Sequence, residues 1–137
     1  MKNLVKQLLG ALFILSFSAC AQPENYSNVS NDELVELLHQ DVTLIDIRRP
    51  EEWAQTGTIK GSQKITLFDQ QGRIVPGFVE KLSAIAKPEQ PVALICRTGS
   101  RTRVASQMLS EQLGYKTVYN VTHGITGWIK EGRPVAR

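Results

Sequence analysis

One stretch of the sequence decides the fold: Val92-Ala93-Leu94-Ile95 runs directly into Cys96-Arg97-Thr98-Gly99-Ser100-Arg101. A short apolar run without polar alternation is typical of a strand that is buried on both faces of a parallel sheet. A helical pattern begins at Thr102 and continues to residue 113, where Gly114 is suitably placed to end it. We therefore predict that residues 96–101 form a loop between a central strand and a helix.

Working outward from this stretch, short apolar runs alternate with helical patterns. Residues 42–47 and 117–121 are predicted strands, and residues 78–86 and 124–130 are predicted helices. A further helix is predicted after Ser30, because Ser30 and Glu33 have the spacing of a capping box. Strands that alternate with helices indicate right-handed βαβ crossovers. The sequence thus predicts one α/β domain, with a central parallel sheet of about five strands and helices on both faces.

The N-terminal segment has the pattern of a secretory signal peptide. Lys2 and Lys6 precede an apolar run over residues 8–17, and small residues follow it. Phe17-Ser18-Ala19-Cys20 resembles a bacterial lipobox, which would make Cys20 a lipidated first residue, whereas cleavage after Ala21 would release a soluble form. The apolar run is far shorter than the ~20 residues that a transmembrane helix needs. We expect a signal peptide of lipoprotein type over residues 1–20, a flexible tether over residues 21–29 and the working domain over residues 30–137, in an exported, periplasmic protein.

The charge of the chain argues against nucleic acid as a partner. The formal net charge is +3, and the first 20 residues contribute two lysines and no acidic residue. The remaining chain has 14 Lys and Arg against 13 Asp and Glu, so it is nearly neutral. A nearly neutral domain gives no electrostatic reason to bind nucleic acid. Contact with a membrane is expected only through a lipid on Cys20.

The predicted loop has the composition of a site for a reactive thiol. Since Cys20 is either lipidated or removed, Cys96 is left without a partner for a disulfide and is either a packed thiol or a nucleophile. Gly99 permits the turn that directs successive backbone N–H groups inward. The helix N-terminus and the positive charges of Arg97 and Arg101 also favour the thiolate over the thiol. These features favour the nucleophile.

At this point the sequence resembles the rhodanese family over roughly residues 30–136. The segments that carry the resemblance, in chain order, are Asp46-Ile47-Arg48, Glu52-Trp53, Gly57-Thr58-Ile59-Lys60-Gly61-Ser62, the loop at residues 96–101, Gly124-Ile125-Thr126-Gly127-Trp128 and Gly132-Arg133-Pro134-Val135. Two positions depart from the family pattern: Thr58 stands where histidine is frequent, and His123 stands where the first of two glycines is frequent. Both departures leave the nucleophile loop intact and bear on the choice of substrate.

The resemblance implies a rhodanese-like three-layer domain and a sulfurtransferase. Cys96 would be the catalytic residue, which takes a sulfane sulfur from a small anionic donor such as thiosulfate and passes it from a persulfide to a thiol or cyanide. The substrate-binding residues would be Arg97, Thr98, Gly99, Ser100 and Arg101. Asp46 and Arg48 would be structural residues near the site. No metal and no organic cofactor are implied.

Two other functions remain open from the sequence. A rhodanese-like module can carry or sense sulfur, or bind a partner, without catalysing turnover. The second is a phosphatase or an arsenate reductase. Related phosphatases place five residues between the cysteine and the arginine of the loop, whereas four separate Cys96 from Arg101 here, and Thr102 stands at the later position. The smaller ring favours sulfur chemistry over phosphate chemistry.

Overall fold

The computed structural model describes residues 25–137. The predicted signal peptide, Cys20 and the first part of the predicted tether lie outside the described residues. Between residues 25 and 137, no helix is both long enough and apolar enough to cross a bilayer.

The described chain forms five strands and five helices around one parallel sheet. The strands are β1 (Ser27–Val29), β2 (Thr43–Asp46), β3 (Gln63–Lys64), β4 (Val92–Ile95) and β5 (Val118–Val121). The helices are α1 (Asn31–His39), α2 (Pro50–Thr56), α3 (Phe78–Ile85), α4 (Ser100–Glu111) and α5 (Gly124–Lys130). The sheet order is β1-β5-β4-β2-β3, and every pairing is parallel. The predicted α/β domain with a five-stranded parallel sheet is confirmed.

Helices cover both faces of the sheet and make three layers. On one face, Phe78 of α3 and Leu109 of α4 pack in a cluster with Leu94 of β4. On the other face, Leu34 of α1 and Ile125 of α5 pack in a second cluster, whose strand residues differ from those of the first. All four residues of β4 are buried. Burial on both faces explains why this strand is uniformly apolar.

Several element boundaries differ from the sequence-based predictions. The predicted tether is wrong over its last three residues, because Ser27–Val29 forms edge strand β1 and pairs with β5. Strand β3 and helix α2 were not predicted. Helix α4 begins at Ser100, two residues before the predicted start, so the last two residues of the predicted loop form its first turn. The capping box of α1 is present as predicted.

Candidate active site

The carboxyl ends of β2 and β4 bring the candidate residues to one edge of the sheet. These strands are neighbours, with Asp46 in register with Ile95, and the N–H of Ile47 donates to the Ile95 carbonyl at 3.0 Å. Cys96 follows Ile95 directly, so the cysteine and the end of β2 lie side by side. In parallel α/β sheets, ligands bind outside the carboxyl ends of the strands. The structure therefore places Cys96 where such a fold holds its reactive groups.

The sulfur of Cys96 lies beneath the loop and is fully buried. The backbone N–H of Gly99 donates to Sγ at 3.2 Å, and the Thr102 hydroxyl oxygen lies 3.5 Å from Sγ. Both groups can donate a hydrogen bond to sulfur, and a hydrogen bond to an ionised group favours the ionised form. The inward-facing amide at Gly99 agrees with the predicted turn. Thr102 was not among the predicted site residues, although its place in the first turn after the loop was a usable signal.

Two glycines allow the loop to pack tightly against the start of α5. Gly99 has φ of +95°, and a Cβ there would collide with the Thr122 carbonyl oxygen. Gly124 has φ of +57°, and a Cβ there would lie 2.5 Å from the Arg97 carbonyl oxygen. The N–H of Ile125 donates to the carbonyl of Cys96 at 2.9 Å. The start of α5 thus holds the backbone of Cys96 by a hydrogen bond, at a close approach that only a glycine at position 124 permits.

Arg101 forms an ion pair with Glu52 of helix α2. Its two terminal nitrogens donate to the two carboxylate oxygens of Glu52 at 2.9 and 2.6 Å. Burial alone would raise the pKa of Glu52, but the hydrogen bond from Arg101, a backbone N–H from Arg49 and the charges of both arginines lower it to about 2. The same pairing raises the pKa of Arg101, chiefly through its hydrogen bonds to Glu52. The predicted donor ligand Arg101 is therefore engaged by a carboxylate that lies 49 residues earlier in the chain.

Arg48 and Asp46 form a second ion pair, which is completely buried. Nε and one terminal nitrogen of Arg48 donate to the Asp46 carboxylate at 2.9 and 2.7 Å. The guanidinium also donates to the Thr56 hydroxyl at 2.8 Å and to the Gly57 carbonyl at 2.9 Å. These contacts tie the end of β2 to the end of α2. Because α2 carries Glu52, they also fix the position of the partner of Arg101.

The other predicted loop residues face outward. Arg97, Thr98 and Ser100 are exposed, and the hydroxyl oxygens of Thr98 and Ser100 lie 3.5 Å apart. Within residues 25–137, the Arg97 guanidinium has no ion pair and no hydrogen-bond partner. It lines a cleft with Gln55 and Ile129. The one loop arginine free to meet an anion is therefore Arg97.

Two further clefts border the outer face of the loop. Thr98 lines a cleft with His123 and Lys130. Ser100 and Arg101 line a cleft of about 450 Å³ with Phe68, Val104 and other residues. Cys96 lines neither of them. His123, one of the departures from the family pattern, thus lies on a cleft next to the loop.

Fold and site together define a parallel α/β domain that holds one buried cysteine in a loop between a central strand and a helix. The family model described as "Rhodanese-like domain" matches residues 30–131. The chain belongs to this family, and the resemblance noted in the sequence is confirmed.

Named relatives agree with this assignment. The chain is 34% identical over 96 residues to a sulfurtransferase from Allochromatium vinosum, and the match covers 70% of this chain and 79% of the relative. It is 29% identical over 113 residues to a thiosulfate sulfurtransferase from Actinobacillus pleuropneumoniae, which covers 82% and 94%. Among solved structures, the polysulfide-sulfur transferase homodimer from Wolinella succinogenes is 31% identical, with a TM-score of 0.63 and coverage of 82% and 79%. At the level of the family, these relatives support a sulfurtransferase-like role.

Proposed function

We propose that this protein is a sulfurtransferase that carries a sulfane sulfur as a persulfide on Cys96. The observation that carries the proposal is the position of Sγ, which lies at the carboxyl edge of the sheet and accepts the N–H of Gly99 at 3.2 Å. A preorganised donor stabilises negative charge that remains on the sulfur. The relatives named for thiosulfate and polysulfide suggest that donors of this class suit the site.

In the first step, the Cys96 thiolate attacks the outer sulfur of thiosulfate. The Sγ–S bond forms, the S–S bond of thiosulfate breaks, and sulfite leaves with the electron pair. Thiosulfate is a dianion, and Arg97 is the unpaired cation nearest to the nucleophile in sequence. We assign donor binding to Arg97, because Arg101 is already neutralised by Glu52. Because Cys96 is fully buried, the loop has to open before the donor can reach Sγ.

In the second step, cyanide or a thiolate attacks the outer sulfur of the persulfide. The new bond forms to the acceptor, the Sγ–S bond breaks, and the electron pair returns to Sγ of Cys96. The product is thiocyanate or a persulfide of the acceptor. The same groups around Sγ serve both steps, since the thiolate that attacks in the first is the leaving group of the second.

Two measurements on the purified protein test this function. Incubation with thiosulfate alone should add the mass of one sulfur atom to the peptide that contains Cys96, and further addition of cyanide should release thiocyanate. Cys96→Ser should lose both results while it retains the thermal unfolding of the wild type, since oxygen replaces sulfur with little change in volume. A persulfide without thiocyanate would favour a carrier or sensing module instead. Protein that gains no sulfur on Cys96 would contradict the proposal.

We also propose that the protein is exported to the periplasm and anchored by a lipid on Cys20. The support is the sequence pattern of residues 1–20. Cys20→Ser should block processing or release the protein from the membrane fraction, as followed by fractionation and the mass of the mature chain. A wild-type protein that is wholly soluble and begins at Gln22 would favour cleavage after Ala21 instead. Neither result alters the assignment of Cys96.

A further inference from the structure

We propose that Thr102 is a further catalytic residue, whose hydroxyl donates to Sγ whenever Cys96 is ionised. The inference rests on the proposed function for its role in sulfur transfer. Thr102 is fully buried, and its hydroxyl oxygen lies 3.5 Å from Sγ and 3.1 Å from the Gly99 carbonyl oxygen. The hydroxyl therefore has two acceptors within reach, one of which is the reacting atom.

A hydroxyl donates only one hydrogen bond at a time, so its direction depends on the state of the sulfur. When Cys96 is a thiol, its S–H can donate to the Thr102 oxygen, and the hydroxyl donates to the Gly99 carbonyl. When Cys96 is a thiolate, it needs donors, and the hydroxyl turns to Sγ. The Gly99 carbonyl is not left without a partner by this turn, because it also accepts the N–H of Arg103 at 3.1 Å. The turn therefore leaves no buried acceptor unsatisfied.

The state of the sulfur changes in the same way during transfer. In the persulfide, negative charge lies on the outer sulfur, and Sγ is bonded and neutral. When an acceptor takes the outer sulfur, the Sγ–S bond breaks and its electron pair returns to Sγ. Thr102 would then turn back to Sγ and, together with the N–H of Gly99, stabilise the leaving thiolate. Thr102 thus acts both before the attack on the donor and during release to the acceptor.

The test is the pH profile of iodoacetamide alkylation at Cys96, which does not depend on sulfur transfer. Thr102→Val removes the hydroxyl and keeps the branched shape. We expect the rate of alkylation below the midpoint of the profile to fall about tenfold, the low end of what a hydrogen bond to a charged group contributes. The profile should move to higher pH and reach the wild-type rate at its alkaline plateau, whereas a change in access would lower the plateau itself. Thr102→Ser, which restores the hydroxyl, should return the profile toward the wild type.

Ser106 supplies a matched control one helical turn further along α4. It is also fully buried, and in the described part of the chain its hydroxyl has no hydrogen-bond partner. Ser106→Ala should leave the alkylation profile unchanged. Circular dichroism verifies the fold of each variant, and Thr102→Ala replaces the valine variant if that one does not fold.

The outcomes separate this inference from the proposed function. A wild-type profile in the folded Thr102→Val or Thr102→Ala variant would overturn the role of Thr102, whatever the protein does with thiosulfate. A shifted profile that Thr102→Ser restores supports that role. If the wild type alkylates as expected but gains no sulfur from thiosulfate, the proposed function fails, and Thr102 still acts on the thiolate.

Discussion

The ion pair between Arg101 and Glu52 predicts a measurable coupling between two residues that lie far apart in the sequence. The pKa of Glu52 falls from its ordinary value of 4.5 to about 2. Each tenfold change in acidity corresponds to about 1.4 kcal/mol, so the surroundings of Glu52 favour its ionised form by about 3 kcal/mol net, before screening by water is taken into account. The side chains retain 23% and 13% exposure, and water screens part of that attraction. We therefore expect a coupling of about 1–2 kcal/mol.

The assay is a double-mutant cycle with Arg101→Ala, Glu52→Ala and the double variant, in which urea unfolding gives each free energy. Because the pKa of Glu52 is lower in the folded protein, the unfolded chain binds the proton first as the pH falls. The coupling should therefore be complete above about pH 4.5, the ordinary pKa, and should vanish as the pH falls toward about 2. A coupling below about 0.3 kcal/mol at neutral pH would refute the ion pair between Arg101 and Glu52 as a stabilising contact. If Arg101→Ala then raised the KM for thiosulfate instead, Arg101 would be the donor ligand that the sequence predicts.

Three further substitutions test other parts of the site. Arg97→Ala should raise the KM for thiosulfate about tenfold with unchanged thermal unfolding, because a charge-assisted contact is lost; an unchanged KM would remove Arg97 from donor binding. Gly124→Ala should lower the free energy of unfolding by at least about 1 kcal/mol and alter the alkylation rate of Cys96, because a methyl group meets the Arg97 carbonyl. Wild-type stability would show that the loop tolerates the methyl group. Asp46→Asn should cost about 3–5 kcal/mol in urea unfolding by leaving a buried guanidinium without its carboxylate. A loss below about 1 kcal/mol would mean that Arg48 finds another partner or water.

The apolar runs and the cap signals were sufficient to predict the centre of the fold. The predicted ranges for β4 and α5 coincide with the structure, because β4 is buried on both faces and the last helix begins at a glycine. Strands β1 and β3 were missed because Ser27–Val29 and Gln63–Lys64 are short and mostly polar. They are strands only through pairing with a neighbour. Helix α2 was missed because it buries no residue, although Pro50 in its first turn followed by two glutamates was a usable signal.

The candidate site was likewise predictable only in part. The position of Cys96 and Gly99 between a strand and a helix was predictable, since it follows from an apolar run that leads into a helical pattern. The sequence could not show that Arg101 meets Glu52, because that contact depends on how α2 lies against α4 in space. Nor could it show which acceptors lie near the Thr102 hydroxyl. An ion pair between two elements depends on how the chain packs, whereas the composition of a loop can be read from neighbouring residues in the sequence.

The parallel pairing of β1 has a consequence for orientation at a surface. All five strands run in one direction. The chain therefore enters β1 at the amino ends of the strands, whereas Cys96 lies at their carboxyl ends. The seven residues from Cys20 to Tyr26 reach at most about 25 Å even when fully extended. If Cys20 carries a lipid, Ser27 lies within that distance of the bilayer, and the tether joins the domain at the end of the sheet away from Cys96. Sulfur donors and acceptors would then meet the untethered end of the domain.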